Sequence, residues 1–459
     1  KDFLWGFATA AAQIEGGSEE QDKASGKGYS IWDKFSEQPG KIRDGSSSYR
    51  TCNHYELYKQ DIAMMASLGV SAYRFSISWP RLIPCGERGG AINEKGVQFY
   101  SDVIDECLKY GITPFATLYH WDLPQALQDK YNGWADRRII DDYLYYADLC
   151  FSRFGSRVQH WLTFNEPWCI CVLGHGIGQF APGITSDTIP WIVGHNIILS
   201  HAHVVELYRS KYKVEQGGMI GITLNGDWAE SYDSSPENVA ATQAKMDVAV
   251  GWFADPIYLG DYPPFMKSML GKRLPSFTQK ELKLVRGSSD FYGMNTYTTN
   301  TIKAGADDEF NGNAHLCFDT PNGSVIGAES ALGWLRDVPW GLRKLLNYLF
   351  DRYKTPIYMT ECGYAVKGEH HLTKDKALHD IERVTYYDGY LSSLKAAVVE
   401  DGVDVRSFFG WSFMDNFEWN SGLVPRFGSV HVDYETFQRT PKDSAMFFSE
   451  WFKSNVASA

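Results

Sequence analysis

Residues 55–77 read YELYKQDIAMMASLGVSAYRFSI, and this stretch sets the pattern from which the fold follows. Residues 55–68 are spaced as an amphipathic helix, Gly69 ends it, and SAYRFSI (71–77) follows as a short β-rich run. Glycine takes the left-handed conformation at a helix C-terminus at little cost, so the break has a mechanical basis. The unit then recurs. Residues 97–110 are helical by spacing, Gly111 breaks them, and ITPFATLY (112–119) follows. VQHWLTF (158–164) comes after Gly155, MIGITL (219–224) after Gly217-Gly218, and VDVRSFFGW (403–411) after Gly402. DFYGM (290–294) and PIYMT (356–360) lack the adjacent glycine but keep the pattern, and FLWGFATA (3–10) opens the series. Near-continuous apolar strands alternating with helices imply a parallel sheet covered by helices. Eight such units predict an α/β fold, a single (β/α)8 TIM barrel of residues 1–459 with elongated loops at the C-terminal face of the strands. The rival, an open doubly wound sheet, lacks a Gly-rich phosphate loop after its first strand. Residues 305–332 show no periodicity and are expected as a long loop over the barrel mouth.

Composition narrows the classes. Of 459 residues, 44% are hydrophobic and 15% aromatic, enough for a large core and too much for a disordered chain. The net charge of -12, with no Lys/Arg-rich run, argues against nucleic acid and against anionic membrane surfaces as partners. No apolar run is long enough to span a bilayer. The eight cysteines have no framework spacing, and the Cys169/Cys171 pair has no second pair to complete a zinc or redox motif. They are expected as buried small hydrophobes, and free thiols without a leader segment favour an intracellular protein. The chain opens on Lys1, so a removed leader stays open as the alternative. Oligomeric state is not readable.

In such barrels the chemistry collects at the C-terminal ends of the strands. Those ends carry Arg74, His120, Asn165-Glu166, Asn225, Asn295, Glu361 and Trp411. Only Glu166, after the fourth strand, and Glu361, after the seventh, place a carboxylate there, nearly across the barrel from each other. A glycosidic bond needs that pair: one acid protonates the leaving oxygen while an ionised carboxylate attacks or activates water at the anomeric carbon. A lone Glu is usually a solvated surface residue. That reading is weakened here because each follows an apolar run, Leu162-Thr163-Phe164 or Tyr358-Met359-Thr360. Most aromatic residues are expected in the core, but Trp121, Trp168, Trp334, Trp411 and Trp419 fall on strand ends or mouth loops. Flat C–H faces of sugars stack on such rings. His201 and His203 lie in a helical stretch, 192–208, which puts them on different faces, and a structural role is expected.

The residues carry a resemblance. Thr163-Phe164-Asn165-Glu166-Pro167 resembles the acid/base signature of the family 1 glycoside hydrolases, and Tyr358-Met359-Thr360-Glu361-Cys362-Gly363 is similar to their nucleophile motif. FLWGFATAAAQIEG (3–16), YRFSISWPRLIP (73–84), LYHWDLP (118–124) and WSFMDNFEW (411–419) also resemble family segments, in order. The resemblance implies a retaining β-glucosidase with Glu361 as nucleophile and Glu166 as acid/base, acting on a β-glucoside or oligosaccharide with no metal or organic cofactor. It implies that Gln13, His120, Asn165, Glu418 and Trp419 bind the nonreducing sugar over a Trp411 platform. Arg74, Asn295 and Tyr297 would surround Glu361, while Trp121, Trp168, Asn225 and Trp334 line the mouth and Phe427 closes the pocket. Cys362 stands where the family commonly has Asn, and its effect on the electrostatics beside the nucleophile stays open; Ser407 and Gly410 also depart from the pattern. A 6-phospho-glycosidase would carry Ser and Lys where this chain has Glu418-Trp419. A thioglucosidase would carry Gln at 166, and a non-catalytic relative would lack one carboxylate. β-Galactosidase or β-fucosidase specificity on the same scaffold stays open.

Overall fold

The computed structural model describes residues 3–456. Eight strands close into a barrel: β1 (Leu4–Ala8), β2 (Ala72–Ser76), β3 (Thr113–Tyr119), β4 (His160–Asn165), β5 (Met219–Asn225), β6 (Tyr292–Asn295), β7 (Ile357–Cys362) and β8 (Val405–Trp411). Every neighbouring pair is parallel, and β1 closes the ring by pairing with both β2 and β8. Gly6 makes that closure possible, because a Cβ there would lie 1.8 Å from the Ala72 carbonyl oxygen.

Helices α1 (His54–Leu68), α2 (Glu94–Lys109), α3 (Ile139–Phe154), α4 (Ile189–Leu207), α5 (Gln279–Val285), α6 (Trp340–Tyr353) and α7 (Ile381–Val399) precede strands β2 to β8, and α8 (Asp443–Asn455) follows the last. Gly69 ends α1 as expected, at φ 77 with its N–H bonded to the Ala66 and Met65 carbonyls. Gly155 does not act this way. Its φ of -64 is still helical, and its lack of a side chain instead makes room for Gln216, which a Cβ would meet at 2.0 Å. At the end of α6, where no glycine stands, Lys354 adopts the left-handed turn at φ 49. The punctuation thus marks the right breaks for partly different reasons.

Residues 305–332, expected as an irregular loop, are partly built into sheet. Ala314–Cys317 pairs antiparallel with Thr299–Ala304, which in turn pairs parallel with Trp228–Ser231. Ala328–Glu329 pairs with Arg336–Asp337. Strands of two to four residues are too short for alternation to show.

The N-terminal half of the barrel is plugged by aromatic side chains. Phe115 stacks on His160 at 4.9 Å and packs on Phe291, Tyr358 and Phe409 at 5.4 to 6.0 Å between ring centres. Chemistry is therefore confined to the opposite, open end. All eight cysteines are free, and six of them are buried. Among the described residues no helix is long and apolar enough to cross a membrane.

Candidate active site

Two strand ends place the carboxylates. β4 stops at Asn165, and Glu166 turns the chain through φ 48 before Pro167 starts the helix Pro167–His175. A non-glycine residue in that region is strained, and its side chain makes no helix-cap bond. Instead Glu166 Oε1 accepts from Asn295 Nδ2 at 2.8 Å, and Oε2 meets the Cys169 thiol at 3.2 Å. On β7 the register to β6 shifts between Met359 and Glu361, setting Glu361 opposite Asn295; such irregularities re-aim side chains.

Glu361 is held from both oxygens. Arg74 Nη1 donates to Oε1 at 2.5 Å and Tyr297 Oη to Oε2 at 2.6 Å. The fully buried guanidinium is fixed in turn by Thr360 O, Asn165 Oδ1 and Thr117 Oγ1. Tyr297 is anchored by its backbone: its N–H donates to Asp227 Oδ1, and its carbonyl accepts from Tyr386 and Tyr390 at 2.8 and 2.9 Å.

Burial raises both carboxyl pKa values, but unequally. Glu166 is pushed up to about 8 by burial and then by the charge of Glu361, against weaker help from Asn295 and Cys169. Burial also raises Glu361, but the Arg74 guanidinium, the Tyr297 hydroxyl and Asn295 all favour its ionised form. At neutral pH the proton of the pair therefore sits on Glu166 while Glu361 is charged.

Around this pair, buried polar atoms lack partners. His120 accepts at Nε2 from Asn165 Nδ2 across 3.0 Å, leaving Nδ1 unpartnered; burial and the Arg74 charge hold the ring neutral. Gln13 donates to Asn416 Oδ1 and Phe417 O, leaving its Oε1 bare, and Glu418 Oε2 and Asn225 Oδ1 are also unpartnered. Unpaired buried groups are costly, and a ligand with many hydroxyls, each donor and acceptor, would satisfy such a mixed set. Aromatic rings frame it. Trp411 and Trp419 each lie 5.9 Å from the His120 ring, Trp121 packs on Trp419 at 4.5 Å, and Trp121 Nε1 donates to Asn165 O. Phe427 and Trp334 meet Tyr297 edge-on at 6.1 and 5.7 Å. Trp334 is half exposed at the rim, and the partly buried Trp168 donates from Nε1 to Phe310 O.

The loop bearing Glu418 and Trp419 is tied down at Asp415, which accepts from Lys442, Arg426 and the Gly428 amide.

Sequence reasoning missed Cys169, Asp227, Thr360 and Asn416, which touch the site residues from behind. Cys362, the departure beside the nucleophile, turns away from the mouth: its thiol meets Tyr386 Oη at 3.3 Å, and burial keeps it neutral. His201 packs against β4, its Nδ1 2.7 Å from Thr163 Oγ1. No group of three or more potential metal-ligating side chains occurs among the described residues.

A barrel mouth with one proton-bearing and one ionised carboxyl, set among tryptophans and unpaired polar atoms, defines a glycoside hydrolase. The chain belongs to glycosyl hydrolase family 1, whose sequence profile matches residues 1–457. It is 56% identical over 467 aligned residues to β-glucosidase 1B of Phanerodontia chrysosporium, covering 99% of this chain and 86% of that protein. The crystal structure of a family 1 β-glucosidase from Humicola insolens in complex with glucose superposes with a TM-score of 0.96 at 47% identity, covering 99% and 98% of the two chains. β-Glucosidase 2 of Trichoderma reesei, in complex with Tris, gives 0.97 at 46% identity over 100% and 99%.

Proposed function

We propose that this protein is a retaining β-glucosidase that releases terminal nonreducing β-D-glucosyl residues from cellobiose, short cello-oligosaccharides and aryl β-glucosides. The observation that carries this reading is the unequal carboxyl pair. Glu361, held by Arg74 and Tyr297, is aimed and ionised for attack at the anomeric carbon. Glu166, holding its proton, gives it to the departing oxygen. Once the glycosyl ester forms, the charge of Glu361 is gone, the pressure on Glu166 falls, and the same group takes a proton from the incoming water. Asn295 donates to Glu166 Oε1 at 2.8 Å and stands opposite Glu361 in the register of β6 and β7, so one residue borders both carboxyls. That supports the short separation of retaining enzymes over the wider gap that admits water directly. The β-glucosidase names of the relatives support the glucosyl specificity. The free cysteines support an intracellular setting.

The pH profile follows with its sign. Glu166 must be protonated in the free enzyme, so kcat/KM should fall as pH rises through about 8, and should fall on the acid side as Glu361 gains a proton. Initial rates on a phenyl β-glucoside from pH 4 to 10 check this; an alkaline limb absent up to pH 10 contradicts it.

Glu418 distinguishes glucose from a sugar phosphate. Burial, and then the charges of Glu361 and Glu166, push Glu418 up to about 8. Two vicinal hydroxyls donating to it would draw it back to the ionised form, whereas a 6-phosphate would be repelled by that form and so would hold Glu418 protonated at a cost in binding. Glu418→Gln should cost about 1.5–3 kcal/mol, the worth of a hydrogen bond to a charged group, or about 10- to 200-fold in kcat/KM for β-glucosides. A β-xyloside has no 6-hydroxymethyl group and should lose less. The test is the glucoside-to-xyloside ratio of kcat/KM in parent and variant, run beside an aryl 6-phospho-β-glucoside. An unchanged ratio removes Glu418 from reading the 6-position, and preference for the phosphate overturns the glucosyl reading.

A further inference from the structure

Glu166 touches one side chain that the reaction above does not employ. Cys169 lies three residues on in the helix Pro167–His175, and its buried thiol faces Oε2 at 3.2 Å while Asn295 holds Oε1. Cys169 also borders a small, largely apolar cavity lined by Trp121, Ile170, His175 and Phe180 among others. We propose that Cys169 is a positioning residue that holds the Glu166 carboxyl in both of its protonation states and so sets the pH range in which it serves as acid and then as base. The proposal rests on the acid/base reading of Glu166.

The two partners of Glu166 differ in kind. The amide nitrogen of Asn295 only donates, and so favours the carboxylate. A thiol is a weak donor and a weak acceptor: it can point its proton at a carboxylate and turn to receive one from a carboxylic acid. A group that must pass between these states during each turnover is therefore supported in both, the carboxylate more strongly, since the thiol's hydrogen bond lowers the Glu166 pKa. Burial pushes the thiol itself far up, so it stays S–H and does not compete for the proton. The other charged or titratable groups around Glu166 and Cys169 are Glu361 and Arg74 across the mouth, Tyr297, Glu418, Lys245 over the Trp168 ring, Cys171 on the same helix, and His175, which lines the cavity beside Cys169 and which burial keeps neutral. None of them hydrogen-bonds Glu166 among the described residues, so the local adjustment falls to Asn295 and Cys169.

Replacing the thiol changes this balance with a known sign. In Cys169→Ser a stronger donor favours the carboxylate, so the alkaline limb of kcat/KM should move down by about half to one pH unit. In Cys169→Ala, Oε2 loses its donor and the limb should move up by a similar amount. Cys169→Val, which fills the volume, should follow Cys169→Ala and guards against an effect of the cavity alone. Profiles are measured on phenyl β-glucoside, with thermal midpoints to show that each variant is folded. Opposite shifts for Ser and for Ala and Val support the proposal. Unmoved limbs, or shifts of one sign throughout, overturn it, however much the rate falls. Glu166→Gln, assayed on an activated aryl glucoside, separates the two failures. If the alkaline limb survives in that variant, the acid/base reading fails and this proposal with it; if the limb vanishes there but ignores Cys169, only the role of Cys169 is lost.

Discussion

Glu361→Gln should lower kcat by several decades, at least about a thousandfold, with little change in folding. The amide is nearly isosteric but far too weak a nucleophile to form the glycosyl ester, and losing the nucleophile removes a step no neighbour can supply. Removing one partner of a buried ion pair would normally threaten stability. Here the guanidinium of Arg74 keeps Thr360 O, Asn165 Oδ1 and Thr117 Oγ1, and the new amide oxygen still accepts from it. Initial rates on aryl β-glucosides, with circular dichroism and thermal midpoint as folding controls, check both halves. Activity within tenfold of the parent would remove Glu361 from the chemistry.

Glu166→Ala should be nearly as damaging, but selectively. Substrates with poor leaving groups need the proton, so cellobiose and alkyl glucosides should lose about three decades or more, while glycosides of acidic phenols lose much less in forming the intermediate. The second step then limits turnover, because no base remains to activate water. Azide needs no base, and truncation of Glu166 opens space beside Asn295 and Cys169 for it to enter. Added azide should restore turnover of the activated substrates and yield the β-glycosyl azide, identified by NMR. An α-azide, or equal damage across all leaving groups, contradicts the double displacement or the role of Glu166.

Most of the barrel was legible because its strands are long enough for an apolar run to show and its helices end in recognisable breaks. The physical reason at each break was less legible. Gly155 is helical and yields space to Gln216, whereas Lys354 makes a left-handed turn without glycine. The sheet within residues 305–332 was invisible because its strands are too short for alternation to register. The carboxylates were readable because a strand end fixes where a side chain starts, and only Glu166 and Glu361 put an acid there. What stands behind them was not. Asp227, bonded to the Tyr297 and Thr298 amides, and Cys169, bonded to Glu166, are set by how separate segments approach one another. For Cys362 the signal was present: alternation along β7 turns the neighbour of an inward Glu361 outward, onto Tyr386.

The central claim is that Glu361 becomes covalently bonded to the sugar. Incubation with an activated 2-deoxy-2-fluoro-β-glucoside, which slows release of the intermediate more than its formation, followed by proteolysis and mass spectrometry, tests it directly. The account predicts one fluoroglucosyl label per chain, on the peptide that contains Glu361 and on that side chain. A label on Glu166, Glu418 or any other carboxylate, or inactivation with no covalent adduct, would contradict it.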